Sequence, residues 1–231
     1  VSVLINQGND GGGTWQGLAI GATISVGVQP IDLIAEDLNG DGAVDLVAAN
    51  TGFSSVPGRT VALIMNNGLN ISNDWQGFAA PGTASCGSSP YGLYAADFDL
   101  DGDRDLAVTG NDNDELWVLE NTGNGTFPID DVFYVGKDPY SVGIGDFDKN
   151  GHPDIASVQR LDFNLIVQLN EGNAAFHPSS PFAVDVAPEF IAVADFDGDT
   201  WLDIATANAW FGNVGISFNL KNDGMGNWLG F

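Results

Sequence analysis

Apolar residues along this chain come in short runs, broken by turns rich in glycine, asparagine and aspartate. Tyr91-Gly92-Leu93-Tyr94-Ala95-Ala96 and Phe190-Ile191-Ala192-Val193-Ala194 alternate with the period of two that predicts strands. The runs Leu46-Val47-Ala48-Ala49, Leu106-Ala107-Val108, Ile155-Ala156-Ser157-Val158 and Ile204-Ala205-Thr206-Ala207 each follow an acidic turn and predict further strands. No segment spaces its apolar residues at helical period, so the pattern predicts an all-β chain.

The pattern also repeats. A proline stands seven residues before the first aspartate of an acidic loop four times: Pro30 and Asp37, Pro90 and Asp97, Pro139 and Asp146, Pro188 and Asp195. A third block, a β-rich stretch leading to Asn-x-Gly and then an aromatic, ends at Trp15, Trp75, Phe127, Phe176 and Trp228. In the last copy the Asn-x-Gly is read at Asn222-Asp223-Gly224. Successive loops lie 60, 49 and 49 residues apart. Four short strands per period predict the blades of a β-propeller. The expected organisation is one domain over 1–231, with repeats near 30–84, 90–136, 139–185 and 188–228, and residues 1–24 completing a blade. Four loops against five third blocks fit a small ring or part of a larger one.

The loops carry the chemistry. Their pattern is Asp-x-(Asp/Asn)-x-(Asp/Asn), a glycine at position six, and Asp at nine. Hard cations take six to eight oxygen ligands, and alternating carboxylates on a tight loop supply several. The expected metal ligands are Asp37, Asn39, Asp41 and Asp45; Asp97, Asp99, Asp101 and Asp105; Asp146, Asp148, Asn150 and Asp154; and Asp195, Asp197, Asp199 and Asp203. The backbone carbonyls of Ala43, Asp103, His152 and Trp201, at position seven, complete the sets. An EF-hand would need a glutamate at position twelve and flanking helices. Position twelve is Ala48, Val108, Ser157 and Thr206, in strand patterns, so these are strand-loop-strand sites. Up to four calcium ions are expected. Thr200 replaces the glycine of the last loop, which predicts that loop to be the most distorted.

Charge narrows the partners. Against 31 acidic residues stand 6 basic ones, a formal charge of -25. Nucleic acid and anionic membrane surfaces are therefore poor partners. No apolar run approaches the ~20 residues that span a bilayer, so no membrane insertion is expected. Cys86 is the only cysteine, which rules out an intrachain disulfide. Without an initiator methionine or apolar leader at Val1, the chain reads as processed or excerpted.

The loops, followed by Asp-Leu-Val-Ala-Ala and Leu-Asn-x-Gly-like segments, resemble FG-GAP/VCBS repeats, those of the integrin α-subunit β-propeller and its bacterial and fungal relatives. The resemblance covers nearly the whole chain. It implies a propeller with a calcium loop per blade, usually on extracellular or surface proteins. It does not name a ligand, because such relatives include adhesion receptors, a lectin and polysaccharide lyases.

Catalytic constellations are not evident. His152 lies within an acidic loop and His177 precedes Pro178, neither beside a nucleophile. Glu36, Asp112, Asp114, Glu115, Asp130, Asp131 and Asp162 read as solvated loop acids rather than a glycosidase pair. Trp15 and Trp75 read as blade packing, whereas Trp201 and Trp210 are the candidates for a ligand-facing aromatic. The leading expectation is a non-catalytic, extracellular or cell-surface module that binds protein or carbohydrate. The alternatives are the propeller of a polysaccharide lyase and a structural subunit of a larger assembly. The oligomeric state is left open by the sequence.

Overall fold

A computed structural model describes residues 1–231 apart from Ser54 and Gly226, and for Ile129 and Asp130 the backbone alone. Among the described residues there are strands, one 3-10 turn at Asn111–Asn113 and no α-helix. None is therefore a helix long and apolar enough to cross a membrane.

The strands form antiparallel sheets that follow one another along the chain. β1 (Ser2–Asn6) pairs with β2 (Leu18–Thr23). The second sheet begins with β3 (Pro30–Glu36) and β4 (Asp45–Asn50). After a small hairpin of β5 (Gly52–Phe53) and β6 (Val56–Pro57), it continues with β7 (Thr60–Ile64) and β8 (Gly82–Ser85). The third contains β9 (Pro90–Ala96), β10 (Asp105–Gly110), β11 (Glu115–Leu119) and β12 (Ile129–Tyr134). The fourth contains β13 (Pro139–Gly145), β14 (Asp154–Gln159), β15 (Asn164–Asn170) and β16 (Phe176–Pro178), with β17 (Phe182–Ala183) also on β15. The last contains β18 (Pro188–Ala194), β19 (Asp203–Asn208) and β20 (Asn213–Ser217). This is a β-propeller arrangement of up-and-down blades, as the repeat pattern predicts.

Each repeat proline is the first residue of its strand, where its missing N–H costs no interior ladder bond. The leading strands β3, β9, β13 and β18 stand side by side. Small residues permit the approach: a Cβ on Gly92 would lie 2.9 Å from the Cα of Ser141 in the next blade.

The apolar core consists of layers between successive sheets. One layer joins Leu38, Val61 and Leu63 to Leu93, Leu106 and Phe127. A second joins Phe98 and Leu116 to Val142 and Ile155, and a third joins Phe147 and Leu165 to Ile204 and Trp228. Position two of loops one to three plugs such a layer. Leu38 shares its layer with Phe127, Phe98 meets the Phe176 ring edge-on at 5.5 Å, and Phe147 meets Phe231 at 5.6 Å. These three residues are at most 1 % exposed, whereas their counterpart Phe196, in the last sheet, is 44 % exposed. The end sheets likewise leave Leu4 and Ile20, or Phe190, Val214 and Ile216, exposed.

A polar clasp repeats alongside this packing. The position-nine carboxylates of Asp45, Asp105, Asp154 and Asp203 are at most 1 % exposed. One oxygen of each accepts the backbone N–H of position two, at 2.8 to 3.0 Å. The other accepts the N–H of Asn66, Asn121, Asn170 or Asn219, after the third strand. The amides of the last three asparagines then reach into the preceding blade. Asn121 donates to Leu38 O at 2.7 Å, Asn170 to Phe98 O at 2.8 Å and Asn219 to Phe147 O at 2.9 Å.

Two predictions follow from these layers. Phe147→Ala should cost about 3–5 kcal/mol of unfolding free energy, and Phe196→Ala less than about 1 kcal/mol, measured by urea denaturation. Equal costs would contradict the layer assignment. In the same assay Asn170→Ala, which strands the Phe98 and Pro153 carbonyls, should cost about 2–4 kcal/mol. Asn66→Ala should cost less, because the Asn66 amide donates only to Val44 O of its own blade.

Candidate metal centres

Each acidic loop joins the first and second strands of its blade, and the four loops share one set of internal hydrogen bonds. The carboxylate at position one accepts the N–H of position six: Asp37 from Gly42, Asp97 from Gly102, Asp146 from Gly151 and Asp195 from Thr200, at 2.8 to 3.0 Å. Position three accepts from position five, and position five from position seven, in every loop. These short side-chain-to-backbone bonds curl the chain around its own carboxylates, as Asx turns do.

The expectation that loop four is distorted is not met, since it makes the same bonds. Thr200 instead adopts the left-handed conformation of the glycines, with φ +78 against +83, +105 and +93 at Gly42, Gly102 and Gly151. Strain, rather than a new shape, results from losing the glycine.

The curled loops bring acids together. In three groups, Asp97/Asp99/Asp101, Asp146/Asp148/Asp154 and Asp195/Asp197/Asp199, one oxygen from each residue lies within 4.8 Å of the others. Loop one sets Asn39 beside Asp41, its amide donating to the carboxylate at 3.1 Å. In loop three Asn150 donates to Asp148 and to the carbonyl of Asn170. Oδ1 of Asp97 is buried and has no hydrogen-bond partner. A buried carboxylate oxygen left unsatisfied is costly, and a cation would satisfy it. The donor set is all oxygen, which suits a hard cation rather than a thiolate- or imidazole-seeking metal. These clusters could bind metal ions.

Burial pushes the carboxyls of Asp45, Asp99 and Asp148 above the usual range, Asp105 to about 6 and Asp154 to about 7. Loop four differs. The Lys221 ammonium, donating to Asp199, holds that carboxyl below its ordinary value.

Of the position-nine residues, Asp154 belongs to one of the close groups, and all four carboxylates accept the two backbone N–H bonds of the clasp. At position seven, Asp103 lies against the Gly123 turn and His152 against the Gly172 turn. The ring of Trp201 is covered by Lys149, whose Nζ is 4.5 Å from its centroid. Trp210 is 62 % exposed, with one edge on Phe163. The six-residue strand β19, about 20 Å long, separates the two tryptophans. The structure does not bring them into one surface. Trp15 and Trp75 donate their indole N–H groups to Asn6 and Asn66; Trp75 also packs edge-on against Phe78, whereas Trp15 is 59 % exposed, so the packing role fits Trp75 and not Trp15.

Several of the acids read as solvated also accept hydrogen bonds or pair with a base, Asp112 and Asp162 among them while remaining exposed in turns. Asp112 accepts from Ser89, Asp114 from the Asp138 N–H, Glu115 from Trp117 and Asp162 from the Lys137 N–H, while Glu36 lies 3.7 Å from Arg104. The side chain of Asp130 lies outside the described residues.

Three features escaped the sequence reading. One is the asparagine of the clasp, whose signal was the repeated Asn-x-Gly. In the last blade this residue is Asn219 and not Asn222, because Lys221 replaces the glycine. The second is the pair of lysines on loop four. The third is a cavity of about 270 Å³ ringed by the leading strands, where Tyr91 donates to Tyr140 and Arg160 stacks on Tyr140 and pairs with Asp138 and Glu189.

Among solved structures, the fold matches a crystal structure of BBS1N in complex with ARL6DN, soaked with lead. The TM-score is 0.52 and the identity 15%, over 94% of this chain and 61% of that one. The chain thus spans about three fifths of that neighbour's length. An Agrocybe aegerita lectin that recognises non-reducing terminal N-acetylglucosamine matches at a TM-score of 0.47 and 16% identity, over 99% of this chain and 78% of the lectin. No curated protein matches the sequence. The profile of the FG-GAP-like repeat matches residues 37–108 and 97–157, together just over half of the 231 residues. With loops, strands and profile in agreement, this chain belongs to the FG-GAP-like repeat family.

Proposed function

We propose that this chain is a single-domain, calcium-binding propeller that acts outside the cell or at its surface as a non-catalytic module engaging protein or carbohydrate. The observation that carries the reading is the set of isogeometric acidic loops, with the buried, unpartnered Oδ1 of Asp97 at the centre of the most acidic one. Side chains at positions one, three, five and nine, with the carbonyl at seven, would hold the ion. Bound there, calcium supplies the positive charge that several close carboxylates lack. Millimolar extracellular calcium suits sites of modest affinity.

Binding rather than turnover is supported by the fate of the candidate catalytic groups. His177 pairs with Glu171 at 2.6 Å on an exposed strand, and His152 packs within its loop against a turn. A propeller of similar fold is seen in complex with a protein partner, which supports such a use of the fold without transferring the partner. Trp210 and Phe211, 62 % and 67 % exposed on the rim opposite the loops, offer aromatic surface for contact.

Calorimetric titration of chelator-treated protein with calcium should give saturable binding and a rise in Tm. The double variant Asp97→Asn, Asp99→Asn should remove one equivalent. Absence of both heat and stabilisation would overturn the calcium reading. A glycan array and a surface-protein pull-down, each with and without chelator, then test the binding role. Turnover of acidic polysaccharide by the isolated chain would overturn the non-catalytic reading.

A further inference from the structure

The third block of each blade ends in a turn whose asparagine accepts the N–H two residues on. The donors are Gly8, Gly68, Gly123, Gly172 and Lys221, at 2.9 to 3.1 Å. All five have left-handed backbone, with φ +70, +67, +81, +104 and +69. Four are glycine, the residue that this conformation favours, and the fifth is a lysine, which it disfavours.

The direction of a side chain at this position is fixed by the other blades. A Cβ on Gly123 would lie 2.6 Å from Oδ2 of Asp103, and one on Gly172 would lie 3.1 Å from the His152 ring. In the blades of loops one to three, a side chain here is aimed at position seven of the acidic loop, with Gly68 facing the Ala43 Cβ at 3.8 Å. That of Lys221 follows this path and sets its Nζ 2.8 Å from Oδ2 of Asp199, at position five of loop four. Asp199 belongs to the close group with Asp195 and Asp197. A second lysine approaches from loop three: Lys149 donates to the Thr200 hydroxyl at 2.7 Å and covers Trp201. Thr200 itself replaces the loop glycine and supplies that hydroxyl. Loop four thus departs from the repeat at two glycine positions, Thr200 and Lys221, and both substitutions bring an ammonium to it. In a chain with 31 acids and 6 bases, this gathering of two lysines stands out from composition.

We propose that the Lys221 ammonium is a tethered cation that serves loop four in place of a divalent ion, so that loops one to three bind divalent cations and loop four does not. This rests on the calcium reading of loops one to three. An ammonium is a compact point charge with three donors. Held at Asp199, it occupies the oxygen that position five would offer a metal, and a divalent ion entering the loop must displace it. Loop four then keeps its shape at calcium concentrations that empty the others.

The test uses the full chain with Lys221→Gly, which restores the residue that the turn's backbone prefers, and Lys221→Asn as a second neutral variant tolerant of this φ. Calcium stoichiometry is read by calorimetry. Terbium luminescence excited through tryptophan reports loop four, because Trp201 sits within it, and Trp201→Phe in each background isolates its contribution. The expected result is three equivalents of calcium in the parent chain and four in either variant, with a severalfold gain in terbium emission that Trp201→Phe removes. Four equivalents in the parent, or three in both variants with no gain in emission, would overturn the tethered cation. Zero equivalents in the parent would instead overturn the calcium reading, so the two failures are distinguishable.

Discussion

In each of the four blades with an acidic loop, a fully buried carboxylate at position nine holds two backbone N–H groups that are far apart in sequence. Burying a carboxylate without donors is prohibitive, so its placement dictates where the position-two amide and the clasp asparagine must be. Asn121, Asn170 and Asn219 then spend their own amides on a carbonyl of the preceding blade. One interaction therefore sets both the hairpin angle at the loop and the spacing between blades. The apolar layers fill the geometry so defined, with the position-two side chain as the plug whose backbone the clasp already holds.

Concentrating acids on one rim creates an electrostatic problem that the molecule meets in several ways. Position-nine carboxylates have paired N–H donors, yet burial still pushes Asp105 and Asp154 upward. Positions one, three and five each accept a loop amide, which orients their free oxygens towards one another. That arrangement is unfavourable without a cation. Asparagine at Asn39 and Asn150 removes one charge and donates a hydrogen bond to a neighbouring acid. In loop four the neutralising charge is on the chain itself, at Lys221.

The strands and loops were legible because their signals are local. Alternation over β9 or β18 and the carboxylate spacing of Asp97 to Asp105 can be read within a few residues. The sheet order followed from the repeat, since each turn joins neighbours in an up-and-down meander. The clasp was not legible as a contact, because Asn121 and Leu38 are 83 residues apart. The repeated Asn-x-Gly marked its place without stating its partner. In the last blade even that mark failed: Lys221 breaks the pattern, and Asn222-Asp223-Gly224 imitates it three residues later. Thr200 misled in the opposite direction. A left-handed residue that is not glycine suggests a changed loop, but neighbouring hydrogen bonds to Asp195 and Asp199 hold the original path and leave the cost as local strain.

The clasp and the cation loops share residues but not requirements. Every N–H bound by the position-nine carboxylates is in place with protein donors alone, and the plugs at Leu38, Phe98 and Phe147 are buried by neighbouring blades rather than by an ion. The mutual approach of Asp97, Asp99 and Asp101, by contrast, needs positive charge to be favourable. The loops lie on one rim of this scaffold, between the first and second strands of their blades. The opposite rim, with Trp210 and Phe211, is reached only through the length of the strands.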